Sequence, residues 1–159
     1  MLKAASYIKL LVLIGTSIHS QFLNVRNVER SLLNSRTAVQ AVKMKVLIAG
    51  SRSITDYETV KTAIKKSGFF IHELVSGGAA GVDKLGEKWA NENLIPVKRF
   101  LPDWKTHGKK AGPIRNSEMV KVAEAAIIIW DGSSRGTKDT LDKIQKAGKQ
   151  VFIYVPDAK

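Results

Sequence analysis

Three short segments concentrate the side chains of this protein that could hold an anion. Gly50-Ser51-Arg52, Gly77-Gly78-Ala79-Ala80-Gly81 and Gly132-Ser133-Ser134-Arg135-Gly136-Thr137 each place glycines ahead of a predicted helix. Glycine tolerates positive φ and close backbone approach, so successive N–H groups can converge on a negative charge where a helix begins. Ser51, Arg52, Ser134, Arg135 and Thr137 add hydroxyl and guanidinium donors suited to phosphate, and Asp131 opens the third segment. Two carboxylates stand close by. Asp83 follows Gly81 by two residues and Asp139 follows Thr137 by two, each near a helix start, where a carboxylate either complements the helix dipole or accepts a bond from a sugar hydroxyl. Arg115-Asn116 lies just after Pro113, in the first turn of another helix. Neither a GxxxxGK[ST] loop nor GxGxxG spacing occurs, which argues against an ATPase and an ordinary dinucleotide dehydrogenase.

Other chemistries find little support. The chain has no cysteine, which removes disulfides, thiolate metal sites and thiol nucleophiles, and fits a reducing compartment such as the cytoplasm. His19, His72 and His107 stand apart from one another and from carboxylates at ligand spacing, so neither a metal site nor a cofactor is expected. Ser51 and Ser76 have no histidine within any predicted geometry, so no nucleophilic triad is expected either. Trp104 is a candidate for stacking on a base, whereas Trp130 ends an apolar run and reads as core. The formal charge of +12 is divided between residues 1–43 and 44–159 as +5 and +7. Such a balance favours an anionic partner, although scattered lysines also serve solubility.

Positioning these residues requires strands that all point the same way. From Met44 onward, short β-branched runs alternate with amphipathic segments, the pattern of βαβ units around a parallel sheet. Strands are predicted at Lys45–Ala49, Ile71–Val75, Pro96–Leu101, Ala125–Trp130 and Gln150–Val155. The first helix is capped by Thr55 or Asp56 and stopped by Gly68, the second finishes near Asn93, a third runs from Pro113 to about Ala123, and the last stops at Gly148. Residues 102–112 read as an irregular loop of lid type. In a parallel sheet every loop after a strand's carboxyl end lies on one rim, and ligands bind where strand order reverses. The three glycine segments therefore belong on a common rim.

Residues 1–43 form a separate extension. Tyr7 to Ile18 is mostly apolar after Lys3, but Lys9 interrupts it, and the run from Leu10 to Gly15 is far below the roughly 20 residues of a membrane-spanning helix. Phe22, Val25, Val28, Leu32 and Leu33 fall at helical spacing, with Arg26, Arg30 and Arg36 between them. Three readings stand: an export signal, a targeting or interfacial helix, and translated sequence upstream of a natural start at Met44. The last is favoured because Met44 opens directly into a strand.

Taken together, Ala49-Gly50-Ser51-Arg52, Ser76-Gly77-Gly78-Ala79-Ala80-Gly81-Val82-Asp83, Arg115-Asn116 with Met119, and the stretch from Asp131 to Asp139 resemble the YspA-like family of the SLOG superfamily, related to the Lonely-guy proteins and DNA-processing protein A. The resemblance implies a Rossmann-like three-layer α/β sandwich over residues 44–159, with a mainly parallel five-stranded sheet in the order 3-2-1-4-5. It also implies a pocket for a nucleotide-derived small molecule, a nucleoside phosphate or ADP-ribose-like ligand, floored by Gly50, Ser51, Arg52, Gly77, Gly78, Ala79, Gly81, Asp83, Arg115, Asn116, Asp131, Gly132, Ser134, Arg135, Gly136 and Thr137. Lonely-guy enzymes break the bond between base and ribose phosphate, with an Arg in a motif like Arg115-Asn116-x-x-Met119 and a Glu after a PGGxGT loop. Gly136-Thr137 matches the end of that loop, while Asp131-Gly132-Ser133-Ser134 replaces its beginning and the acidic residue is Asp139, followed by Thr140. The leading expectation is thus a binding or sensing domain. An N-glycosidase using Arg115 and Asp139 as catalytic residues, and a single-stranded DNA-binding protein, are the alternatives. Exposed sheet edges leave a homo-oligomer open.

Overall fold

The β-branched runs become five strands in the computed structural model, which describes residues 43–156. These are β1 (Met44–Gly50), β2 (Ile71–Ser76), β3 (Val97–Arg99), β4 (Ala125–Ile129) and β5 (Gln150–Tyr154), ordered β3-β2-β1-β4-β5 as predicted. Every pairing is parallel. Helices α1 (Tyr57–Ser67), α2 (Val82–Glu92), a short α3 (Trp104–His107), α4 (Ala111–Val122) and α5 (Arg135–Lys146) connect them. The expectations for residues 1–42 lie outside the described residues. Among those described, no helix is long and apolar enough to cross a membrane.

Alternation along the strands sends side chains to two cores. Val46 and Ile48 of β1, Leu74 of β2, and Ile127 and Ile129 of β4 meet Val60, Ala63 and Ile64 of α1 and Val82 and Ala90 of α2. Leu47, Ala49, Val75, Ala126 and Ile128 meet Met119 and Val120 of α4 and Leu141 and Ile144 of α5 on the other face. This is the three-layer arrangement expected, and all five residues of β4 are buried because helices cover both its faces. Each fully buried Leu, Ile or Val contributes roughly 1.5–3 kcal/mol. Trp130 packs against the second core, as its position after an apolar run predicts.

Helix boundaries follow local chemistry. Asp56 caps α1 by accepting from the Thr59 N–H at 3.0 Å, and Gly68 ends it at φ 68°. The segment after β3 differs from expectation. Asp103 accepts the Thr106 N–H at 3.0 Å and starts α3, a 3₁₀ turn over Gly108–Lys110 follows, and α4 begins at Ala111 rather than Pro113. The stretch predicted as an irregular lid is therefore mostly helical, since a cap and a tight turn satisfy its backbone. β3 is also shorter than predicted.

One buried acid joins the left half of the sheet to α2. Glu87 is 4% exposed and accepts from Ser76 Oγ at 2.8 Å, from Arg99 Nε and Nη2 at 2.8 and 2.7 Å, and from Lys84 Nζ at 3.2 Å. Burial pushes its carboxyl up, but these donors pull harder and leave it below the usual range. The ends of β2 and β3 are thereby pinned to α2.

Glycine brings the loops after β1 and β2 into contact. Gly81 sits at φ 75° and ψ −128°, a conformation nearly confined to glycine, and a Cβ there would stand 2.7 Å from Arg52 Cα and from the Ser51 and Arg52 carbonyl oxygens. Gly136, in the first turn of α5, has nothing within 4 Å of its Cβ direction. Gly81→Ala is thus expected to cost at least about 2 kcal/mol, whereas Gly136→Ala should be neutral or stabilising by up to about 1 kcal/mol. Urea unfolding of both variants checks the pair; equal losses would show that loop contact does not depend on Gly81.

Candidate functional site

Strand order reverses between β1 and β4, and the loops following their carboxyl ends lie beside the loop following β2. Direct bonds join them. The Asp131 N–H donates to Ser51 Oγ at 3.1 Å, and Ser53 Oγ donates to Asp131 Oδ2 at 2.5 Å. Asp131 Oδ1 takes the Ser133 and Ser134 N–H groups at 2.9 and 3.1 Å. With the Ser53 hydroxyl, these donors hold the Asp131 carboxyl far below its ordinary range. The first and third glycine segments are therefore linked by an acid of the chain itself, and part of the amide cradle expected for a ligand is occupied by that acid.

The second segment repeats the device. Asp83, 4% exposed at the start of α2, accepts the Ala79 N–H at 3.3 Å and a backbone bond from Gly50. Burial pushes its carboxyl up to about 6, against the pull of those amides and of Arg115. Arg115, 9% exposed, reaches from α4 across the rim. Its Nη1 donates to the Gly77 carbonyl and, at 3.5 Å, to that of Phe100, while Nε donates to Asn116 Oδ1 at 3.0 Å. Burial lowers the guanidinium's pKa, with Asp83 opposing. A Cβ on Gly77 would overlap the guanidinium and stand 2.8 Å from Asp83 Oδ2. Glycine at this position makes room for two opposite charges.

What these contacts enclose is a cleft with two parts. The inner part, about 60 Å³, is lined by Ala49, Gly50 and Met119 beneath and by Arg52, Ala79, Asp83, Arg115, Asn116, Ser134, Gly136, Thr137 and Thr140 around. It widens into an outer depression of about 410 Å³ against Arg52, Ser53, Asp131, Ser134 and Gly136. Arg52, Ser134 and Gly136 border both. Ser134 caps α5 by accepting the Thr137 N–H at 3.3 Å, so the remaining first-turn amides of that helix face the same space.

Of the residues singled out from the sequence, Gly50, Arg52, Ala79, Asp83, Arg115, Asn116, Ser134, Gly136 and Thr137 line the inner cleft and Asp131 the outer. Ser51 is fully buried and serves as a tie, and Gly77, Gly78 and Gly81 pack against Arg115, Arg99 with Leu101, and Arg52 respectively. Gly132 takes its turn at φ 83°, and Gly132 and Arg135 are exposed outside the lining. Asp139 stands apart from it as well: its Oδ2 accepts from Asn116 Nδ2 at 2.8 Å and Lys143 Nζ at 2.6 Å. Thr140, one residue on, faces the cleft instead and donates Oγ1 to the Gly136 carbonyl at 3.1 Å. Ser53 and Ala49 complete the wall and floor. Sequence reasoning missed both, although Ser53 sits only three residues after Gly50.

Known proteins agree with this architecture. Residues 44–107, which span the first two glycine segments, match the YspA, cpYpsA-related SLOG family. Gene 61 protein of Mycobacterium phage D29 is 37% identical over 123 residues, covering 69% of this chain and 95% of that protein. Among solved structures, DNA processing protein A (DprA) from Streptococcus pneumoniae is similar with a TM-score of 0.58 at 19% identity, over 73% of this chain and 51% of its own. The chain thus spans about half of that structure, and at such identity the likeness concerns the fold. Sheet order, matched segments and the extent of the phage relative lead to one assignment: the chain belongs to the YspA, cpYpsA-related SLOG family.

Proposed function

We propose that this domain binds a nucleotide-derived small molecule, a nucleoside phosphate or ADP-ribose-like ligand, in the cleft at the carboxyl ends of β1 and β4. The observation that carries the proposal is the convergence of Arg52, Arg115 and the first turn of α5 on one two-part cavity at the strand-order reversal. Its outer part lies in the 300–1,000 Å³ range usual for small ligands. Arg52 borders both parts and makes no ion pair among the described residues, so its guanidinium is available to an incoming phosphate.

Binding is favoured over bond cleavage. Asp139, the acid expected to stabilise a ribosyl cation, is neutralised by Lys143 and turned toward Asn116, and the neighbouring cleft position is the uncharged Thr140. A second reading, single-stranded nucleic acid binding, draws on Trp104, 54% exposed, and on Lys105, Lys109 and Lys110, all exposed on the same rim after β3. The named structural neighbour processes DNA, which is compatible with that reading. It requires affinity that falls steeply with salt.

Calorimetric titration of the full chain with AMP, ADP and ADP-ribose tests the first reading. At least one is expected to bind, and Arg52→Ala should weaken it about 10- to 100-fold through loss of charge-assisted bonds. Chromatography of the same mixtures should show no released base; release would restore the N-glycosidase. Absence of binding by all three would refute the proposal.

Asp83 adds a pH signature. Its folded-state pKa, about 6, lies above the ~3.9 of an unfolded aspartate, so the native state holds the proton more tightly and loses stability as pH rises from about 4 to 6. Arg115 and Glu87 are the charged groups that face it, the first favouring the carboxylate and the second opposing it. Relative to the wild type, Asp83→Asn should therefore gain on the order of 3 kcal/mol between pH 4 and pH 7. Parallel stability curves from urea unfolding would contradict the burial of this charge.

A further inference from the structure

The inner cleft offers an unusual pair of groups to a ligand. Asp83 brings a negative charge that is almost wholly buried, and Arg115 brings a positive one that is nearly so. They flank Gly77 from the same side but are not joined by a hydrogen bond or ion pair. Each also retains capacity. A carboxylate has about four acceptor sites, and Asp83 uses two on the Ala79 and Gly50 amides. A guanidinium has five N–H donors, and Arg115 spends Nε and Nη1 on Asn116, Gly77 and Phe100, which leaves Nη2.

A group seated between them must donate in one direction and accept from the other. Phosphate at neutral pH chiefly accepts, and its attraction to Arg115 would be offset by repulsion from Asp83 in a cleft of low dielectric. A hydroxyl does both. Two adjacent hydroxyls suit a carboxylate's two oxygens better than one. The remaining lining agrees: Ala49 and Met119 give the floor an apolar patch for a C–H face, and about 60 Å³ holds roughly four or five waters, at ~10–15 Å³ each, close to the size of a pentose ring. The outer depression keeps Arg52 and the α5 first turn for the phosphate.

We propose that the inner cleft, between Asp83 and Arg115, is a ribose subsite that requires a free 2′,3′-diol. This rests on the nucleotide-binding reading above and narrows it. The ligand is a ribonucleotide-derived molecule with an unesterified ribose, and neither a deoxyribonucleotide nor an internal residue of a polynucleotide satisfies the site. Arg115 then acts as a donor to the sugar, and Arg52 is the phosphate contact.

The test is calorimetric titration of the full chain with AMP, 2′-deoxy-AMP and 2′,3′-dideoxy-AMP. A site built to hydrogen-bond a hydroxyl rejects the analogue lacking it strongly, so AMP should bind at least about 100-fold more tightly than the dideoxy compound, with the deoxy compound between. Asp83→Asn, which keeps the shape and one acceptor, should reduce that ratio to about 10-fold or less. Should this variant fail to fold, the three ligands on the wild-type protein still decide the matter. Equal affinity for AMP and its dideoxy analogue overturns the diol subsite while leaving nucleotide binding intact. No binding of AMP, ADP or ADP-ribose overturns both readings.

Discussion

Backbone amides at the ends of parallel strands and the starts of helices need acceptors, and in this protein two of the acceptors are carboxylates from the chain itself. Asp131 gathers the Ser133 and Ser134 amides and the Ser53 hydroxyl, while Asp83 gathers the Ala79 and Gly50 amides. Each acid thereby bridges two of the three rim loops. Each such hydrogen bond is worth roughly 0.5–1.5 kcal/mol, and together they tie the loops to one another. These bonds shape the cleft, and the donors they leave over are on Arg52, Arg115 and the first turn of α5.

Close approach makes that bridging possible. Gly50 abuts the Ile129 carbonyl and Val82, Gly77 abuts Arg115 and Asp83, and Gly81 abuts the backbone of Ser51 and Arg52. A side chain at any of these would drive the loops apart. Beneath them the sheet is rigid for ordinary reasons: β4 is covered on both faces, and Glu87 clamps β2 and β3 to α2. Function in such a domain is carried by loops on a stiff scaffold, and here the scaffold extends into the loops through the two acids.

The strands, their parallel arrangement and the common rim were legible in the sequence because strand periodicity and glycine-bearing turns are local signals, whereas the order β3-β2-β1-β4-β5 came only with the family resemblance. Helix α1 between Asp56 and Gly68 was legible for the same reason. The helical nature of Trp104–Lys110 was not, because its signal is a single cap, Asp103 onto Thr106, within a lysine-rich stretch that resembles a loop. Glu87 was overlooked because a glutamate on an amphipathic helix normally faces water, and its burial is made tolerable chiefly by a residue distant in sequence, Arg99, twelve positions away. Several glycines were expected to cradle phosphate, yet Gly77 and Gly81 are explained by loop packing. Spacing along the chain also placed Asp139 in the site, whereas helical rotation gives that direction to Thr140 and turns Asp139 to Lys143.

The most direct test of the whole account is to follow the backbone amide resonances of ¹⁵N-labelled protein as AMP is added. The account predicts the largest shifts at Arg52, Ser53, Gly136 and Asn116, around the cleft, with the Ser133 amide little moved because Asp131 already holds it. Shifts confined to Trp104–Lys110, or none at saturating concentration, would contradict it.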